Sequence, residues 1–349
     1  MISAAATTRF VGRTLFGAAL GVVGMLALVH ASIAMDRVKI GVVHSQGGAA
    51  MFVADAKGFF RAEGLDAELV HFQAAVPIAV AAASGDIDFG STALTAAFCN
   101  LANEGSLRVI ASGGWERPGF QTIGFLVSNQ AHAAGLHSFT DLRGHSVAIT
   151  QRGTPLEYAL ARILNKYAIP SDAVRIVPMP SNSVVASALK GGEVDAGVQT
   201  VANVYSLVHR GDARLLGWVA DELGGGQSTA TFTSGRLAKE RPDLVRRFLA
   251  ALRKGGAAWD AAFLDHDGNR KDQASAPEMI EIAAKALNEP PDMVARGVGY
   301  FDPENRIVLS DLQGLLDWYL SSGMIKAHID AASLLDQRFV ILADASPKR

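Results

Sequence analysis

The chain has 349 residues, 49% of them hydrophobic, and a formal net charge of −2. That length and apolar share suit about two ordinary domain cores, and the charge balance excludes a nucleic-acid binder and a strongly cationic membrane-surface protein. A single cysteine, Cys99, excludes an internal disulfide framework.

The first 34 residues read as an export signal and stand apart from the fold. Arg9 and Arg13 form a positive n-region, Leu15 to Val29 an apolar h-region, and Ser32-Ile33-Ala34 a small-x-small cleavage site. The apolar run falls short of the roughly 20 residues that span a bilayer, so cleavage is expected and an uncleaved anchor is the alternative. No cysteine stands directly after the h-region, which argues against a lipid anchor and for a free periplasmic protein. Without Arg9 and Arg13 the net charge lies near −4.

After the signal, Lys39 to Val43 reads as a buried strand and His44-Ser45-Gln46-Gly47-Gly48 as the loop behind it. A helix is predicted from Ala49 to about Gly64, then a strand over Ala67 to His71, a helix over Val76 to Ala83 and a strand over Ile87 to Gly90. Leu94 to Ala102 reads as a helix, and Leu107 to Ser112 as a strand ending at Gly113-Gly114-Trp115. Gln121 to Val127 opens a second series. Its strand Ser146 to Ile149 leads through Thr150-Gln151-Arg152-Gly153-Thr154 into a helix begun by Pro155. Asp221 to Gly226 reads as a crossing back to the first lobe, before a strand over Ser228 to Thr233. Helices over Pro242 to Phe263, Pro277 to Leu287 and Ser310 to Leu320 close the chain. Alternating strands and helices on short connections predict an α/β protein whose parallel sheets are covered on both faces.

One phrase occurs twice. Ser84-Gly85-Asp86-Ile87-Asp88-Phe89-Gly90 returns 107 positions later as Gly191-Gly192-Glu193-Val194-Asp195-Ala196-Gly197. The same offset sets Val38-Lys39-Ile40 on His145-Ser146-Val147, and Glu68-Leu69-Val70 on Arg175-Ile176-Val177. Two similar α/β lobes follow: residues 35–120 as the first, 121–221 as the second, and 222–349 as the return to the first with the C-terminal helices.

Ligands of open α/β sheets sit beyond the carboxyl ends of the strands, where helix N-termini also point. The first lobe offers His44, Ser45, Gln46, Gly47, Ser91, Thr92 and Trp115 there. The second offers Gln151, Arg152, Gly153, Thr154 and Gln199. Backbone N–H groups at Gly47 and Gly153 favour an anionic group. Arg152 suits a carboxylate or sulfonate held by two hydrogen bonds, and the Trp115 indole suits stacking. Asp265-His266-Asp267-Gly268-Asn269 lacks the spacing of a calcium loop and reads as a helix end.

Lys57-Gly58-Phe59-Phe60-Arg61-Ala62-Glu63-Gly64-Leu65 resembles the signature K-G-F-F-x-x-E-G-L of the solute-binding proteins of ATP-driven importers for nitrate, sulfonates, taurine and thiamine-pyrimidine precursors. Leu142-Arg143-Gly144-His145-Ser146-Val147-Ala148 resembles the L-x-G-x-x-V-A with which that family opens its second lobe, and Trp318 with Gly323-Met324-Ile325 resembles its C-terminal pattern. The resemblance implies a type II periplasmic-binding-protein fold, two doubly wound lobes closing on a small anionic solute. It further implies a monomer that delivers cargo to an inner-membrane ABC permease with its ATPase. No cofactor, metal or catalytic residue is expected.

Two other readings stand beside this one. Relatives of the family include an aromatic sulfinate desulfinase with a nucleophilic cysteine and a pyrimidine synthase with a cysteine- and histidine-rich site. Neither pattern is present, since Cys99 follows Ala96-Ala97-Phe98 in a helical stretch with no base nearby in sequence. A periplasmic sensor subunit is not separable from a carrier on sequence.

Overall fold

The computed structural model describes residues 35–43, 45–266, 269–271 and 276–343. The predicted signal segment, His44 and the centre of the loop from Asp265 to Asn269 lie outside these residues. In chain order the strands that place the site are β1 (Asp36–Val43), β2 (Leu65–Phe72), β3 (Phe89–Ala93), β4 (Leu107–Ser112) and β5 (Gly114–Glu116). Then come β6 (Ile123–Ser128), β7 (Ser146–Ile149), β8 (Arg175–Pro178), β9 (Ala196–Thr200) and β10 (Ala213–Trp218). The chain returns through β11 (Gly226–Gln227) to β12 (Thr229–Ser234), with β13 (Tyr300–Phe301) further on.

One five-stranded sheet has the order β2-β1-β3-β12-β4, and the other β8-β7-β9-β6-β10. The two orders correspond strand for strand. In each, the fourth strand is the first that the chain forms after crossing from the other sheet, and it runs antiparallel to its neighbours. The expectation of all-parallel sheets is corrected here: a segment arriving from the other lobe starts at the end where the parallel strands finish. The two crossings pair with each other, Gly226 opposite Glu116 and Gln227 opposite Trp115, and β13 pairs with the far side of β5.

The repeated phrase has a repeated bond. Asp88 accepts the Lys39 N–H at 2.8 Å, and Asp195 accepts the Ser146 N–H at 2.8 Å, the same pair 107 residues on. Each aspartate ties the segment entering the third strand to the start of the first. The preceding helices, Ala75–Ser84 and Asn182–Gly191, both end on a left-handed glycine, Gly85 (φ +90) and Gly192 (φ +71), a conformation that a Cβ disfavours. The predicted helix from Ala49 to Gly64 is two, Ala49–Ala56 and Phe59–Ala62, because Gly58 adopts φ +71 between them.

Apolar side chains fill both faces of the first sheet. Phe52, Phe89, Phe248 and Trp259 lie on one face and Ile78, Phe98, Phe232 and Tyr319 on the other, all buried. The Phe89 and Phe248 rings stack at 3.8 Å. Each such side chain contributes about 1.5–3 kcal/mol on burial. The helix Pro155–Lys166 covers one face of the second sheet through Leu160 and Ile163, and Val185, Leu189 and Val204 cover the other. No helix among the described residues is long and apolar enough to cross a membrane.

Candidate functional site

The carboxyl ends of β1, β3 and β4 carry the polar residues of the first lobe. Ser45 opens a short 3-10 turn over Gln46–Gly48 that feeds the helix Ala49–Ala56. Gln46 is buried, donating from Nε2 to the Val294 carbonyl at 3.4 Å and leaving Oε1 without a partner. The Gly47 backbone packs against Gly114. Ser91 and Thr92 are buried in β3, and the Thr231 hydroxyl links Ser91 Oγ, at 3.5 Å, to the Ser112 carbonyl, at 3.2 Å.

Trp115 departs from the expected open wall. It is 1% exposed, meets Tyr300 edge-on at 5.9 Å, and belongs to the apolar core. Its position at a strand end is as expected, and pairing of β5 with β13 brings Tyr300 edge-on against the indole. Its Nε1–H has no partner.

In the second lobe, Thr154 caps the helix Pro155–Lys166, its Oγ1 accepting the Glu157 N–H at 3.4 Å and donating to the Gln151 carbonyl at 3.0 Å. Glu157 Oε2 accepts the Gly153 N–H at 2.8 Å, and Oε1 accepts Arg152 Nη1 at 2.5 Å. The Gly153 N–H expected for a ligand anion is therefore occupied by the protein's own carboxylate. Arg152 is not a lone cation, although its side chain is 54% exposed and only Nη1 is engaged with Glu157. Gln199 is fully buried and pinned within its own lobe, Nε2 donating to the Asn182 carbonyl and Oε1 accepting Asn203 Nδ2, each at 2.9 Å. These bonds brace Asn182 and Asn203 beside the strand tip.

The two sets of strand tips meet. The Ala96 N–H, at the start of the helix Ala96–Asn103, donates to the Gly153 carbonyl at 3.0 Å. Nearby, Tyr158 lies against Trp318 with ring centroids 5.4 Å apart.

Sequence reasoning missed several residues. Ser112 Oγ and Asn182 Oδ1 are buried without partners, the first at a strand end that the same rule covers. Glu157 was legible in Thr154-Pro155-Leu156-Glu157, the S/T-x-x-E spacing of a capping box. Cys99 is buried, its thiol pushed up to about 12 by that burial.

Two mixed α/β lobes joined by two paired crossings, with polar strand tips facing across them, constitute the periplasmic-binding-protein fold. Residues 47–263 match the family model described as NMT1/THI5 like, and the chain belongs to that family. No curated protein sequence matches the chain significantly. Among solved structures, the alkanesulfonate-binding protein SsuA from Xanthomonas axonopodis pv. citri, bound to MOPS, is similar at a TM-score of 0.67 and 19% identity, covering 86% of this chain and 98% of that one. The periplasmic nitrate-binding protein NrtA from Synechocystis PCC 6803 is similar at 0.65 and 15% identity, with 86% and 85% covered. The desulfurization enzyme DSZB is similar at 0.61 and 17% identity, with 87% and 97% covered.

Proposed function

We propose that the chain is the periplasmic substrate-binding subunit of an ABC importer. Residues 35–120 and 222–349 form one lobe and residues 121–221 the other, and they close over a small anionic organic solute such as a sulfonate, taurine or nitrate. The observation that carries this reading is the hydrogen bond from Ala96 to Gly153, which joins the strand tips of one lobe to those of the other. The resemblance to sulfonate- and nitrate-binding proteins supports the solute class. Arg152 supplies the positive charge, with Nε and Nη2 directed to the solute while Glu157 holds Nη1. Buried groups without partners, Gln46 Oε1, Ser112 Oγ, Trp115 Nε1 and Asn182 Oδ1, each cost about 1–3 kcal/mol until a solute or water satisfies them.

Residues 1–34 serve as the export signal, and a membrane permease with its ATPase takes the cargo from the monomeric closed form. Likeness to a desulfurization enzyme is the one observation favouring catalysis, and the buried Cys99 offers that chemistry no accessible thiolate. Titration calorimetry against sulfonates, carboxylates, nitrate and pyrimidines, with native mass spectrometry of retained cargo, tests the reading. Binding of one panel member with Kd in the micromolar range or below supports it; turnover of a bound compound, or no binding across the panel, overturns it.

A further inference from the structure

Glycine in the middle of a helix weakens it relative to alanine, so a close neighbour usually accounts for one. Gly255, inside the helix Pro242–Phe263, has that neighbour within its own lobe, since a Cβ there would collide with the Ala50 carbonyl. Gly314, inside the helix Leu309–Ser321, does not. The Tyr158 hydroxyl, from the other lobe, stands 3.1 Å from where its Cβ would lie, and nothing else among the described residues outside that helix comes within 4 Å.

Tyr158 belongs to the helix Pro155–Lys166, which Thr154 caps directly behind Arg152 and Gly153. Its ring lies 5.4 Å from that of Trp318, and Trp318 is one turn from Gly314 on the same helix face. The Arg162 guanidinium, one turn along Tyr158's own helix, sits 5.6 Å from the same ring. Met324, just past the end of Leu309–Ser321, brings its sulfur to 3.5 Å from the Gly153 Cβ position. One first-lobe helix and the turn after it thus meet the second-lobe helix at two places, its approach and its first turns.

We propose that Gly314 and Tyr158 are a positioning pair: the tyrosine seats over the glycine, and the depth of that seat sets how near Arg152 and Gly153 come to the first lobe. A larger residue at 314 lifts the ring, moves the helix Pro155–Lys166 away and breaks the hydrogen bond from the Ala96 N–H to the Gly153 carbonyl. Trp318 and Arg162 leave the ring little room to swing aside. The consequence for solute capture rests on the carrier reading; the seat itself does not.

The Ala96 amide reports the seat with no solute added. It is the first of its helix, a position without an intrahelical acceptor, so its bond to Gly153 is what shields it from exchange. The Phe98 amide, bonded to Thr95 Oγ1 in the same cap, is a control inside the first lobe. In amide hydrogen exchange followed by NMR on the full chain, Gly314→Leu should speed exchange at Ala96 at least tenfold and leave Phe98 within twofold. Leucine favours a helix over glycine, so the urea midpoint should not fall. A glycine of merely structural importance would show the opposite split, a lower midpoint with Ala96 unchanged. Adding Tyr158→Ala vacates the space that the leucine takes, and the double variant should return Ala96 to within threefold of the parent. Unchanged exchange at Ala96 in Gly314→Leu, no recovery in the double variant, or equal acceleration at Phe98 would overturn the proposal. Each of these results leaves the calorimetric test of the carrier reading independent.

Discussion

Arg152 and Glu157 form an ion pair at 2.5 Å in which the carboxylate is 3% exposed and the guanidinium 54% exposed. The partners therefore have different tasks. Glu157 also accepts the buried Gly153 N–H, so Glu157→Ala leaves that donor unmet and costs about 1–3 kcal/mol of stability, read by urea denaturation. Arg152→Ala leaves the buried Glu157 Oε1 without its charge partner and should itself cost about 1–3 kcal/mol of stability. If Arg152 meets the solute as proposed, the same variant weakens binding about tenfold or more, the worth of a charge-assisted hydrogen bond. Unchanged solute affinity in Arg152→Ala would remove this residue from the site.

Glu116 sits where the crossings meet. Its carboxylate accepts the Thr122 N–H at 3.0 Å, the Ile123 N–H at 3.1 Å and the Thr122 hydroxyl, and interacts with the Ala220 backbone in the helix Val219–Leu223. Burial pushes the acid up from 4.5 to about 7, against those donors. A folded-state value above the unfolded one means that the folded state holds the proton more tightly. This contribution is complete below about pH 4.5 and is lost as pH rises through about 7, with a ceiling on the order of 3 kcal/mol. Urea unfolding from pH 4.5 to 8 should show the decline, and Glu116→Gln should flatten it. Parallel curves for the two proteins would refute this assignment.

The doubled architecture was legible because it rests on short-range chemistry: a helix stop at glycine, an aspartate, and an apolar strand, repeated at one spacing. Lys39 with Asp88 and Ser146 with Asp195 are that repetition made into bonds. The crevice was legible as a zone, since strand ends and helix starts are local features, but its contacts were not. Trp115 is covered by Tyr300, which no local pattern announces. Gln199 is held by Asn182 and Asn203, so a polar residue at a strand tip proved to be satisfied from within its own lobe. The antiparallel fourth strands depend on the direction from which the chain enters each sheet, a property of the whole path.

Cys99 gives a chemical test that separates carrier from enzyme. Its thiol is 1% exposed and burial raises it to about 12, so almost no thiolate exists at pH 8. Native protein should resist iodoacetamide over hours and become fully labelled in denaturant, by intact mass. Cys99→Ala should retain solute affinity within twofold, with a modest loss of stability from the small cavity. Rapid labelling of the native thiol would return the desulfurization-like reading to the front.

Gly153 is where one lobe touches the other, and it separates the cost of backbone strain from the cost of blocked closure. At φ +69 any side chain costs roughly 1–2 kcal/mol, and a Cβ there would lie 3.2 Å from Ala96 Cβ and 3.5 Å from Met324 Sδ. Gly144 has a similar backbone, φ +82, but nothing within 4 Å of its Cβ position. Gly144→Ala should therefore carry the strain alone, losing about 1 kcal/mol in urea denaturation while binding solute normally. Gly153→Val should lose at least as much stability and also hold the lobes apart, because a side chain there crowds Ala96 and Met324. Small-angle scattering with saturating solute should then give Gly153→Val a larger radius of gyration than the parent, and calorimetry a weaker affinity. Equal compaction of both variants on adding solute would mean that the lobes close around some contact other than this one.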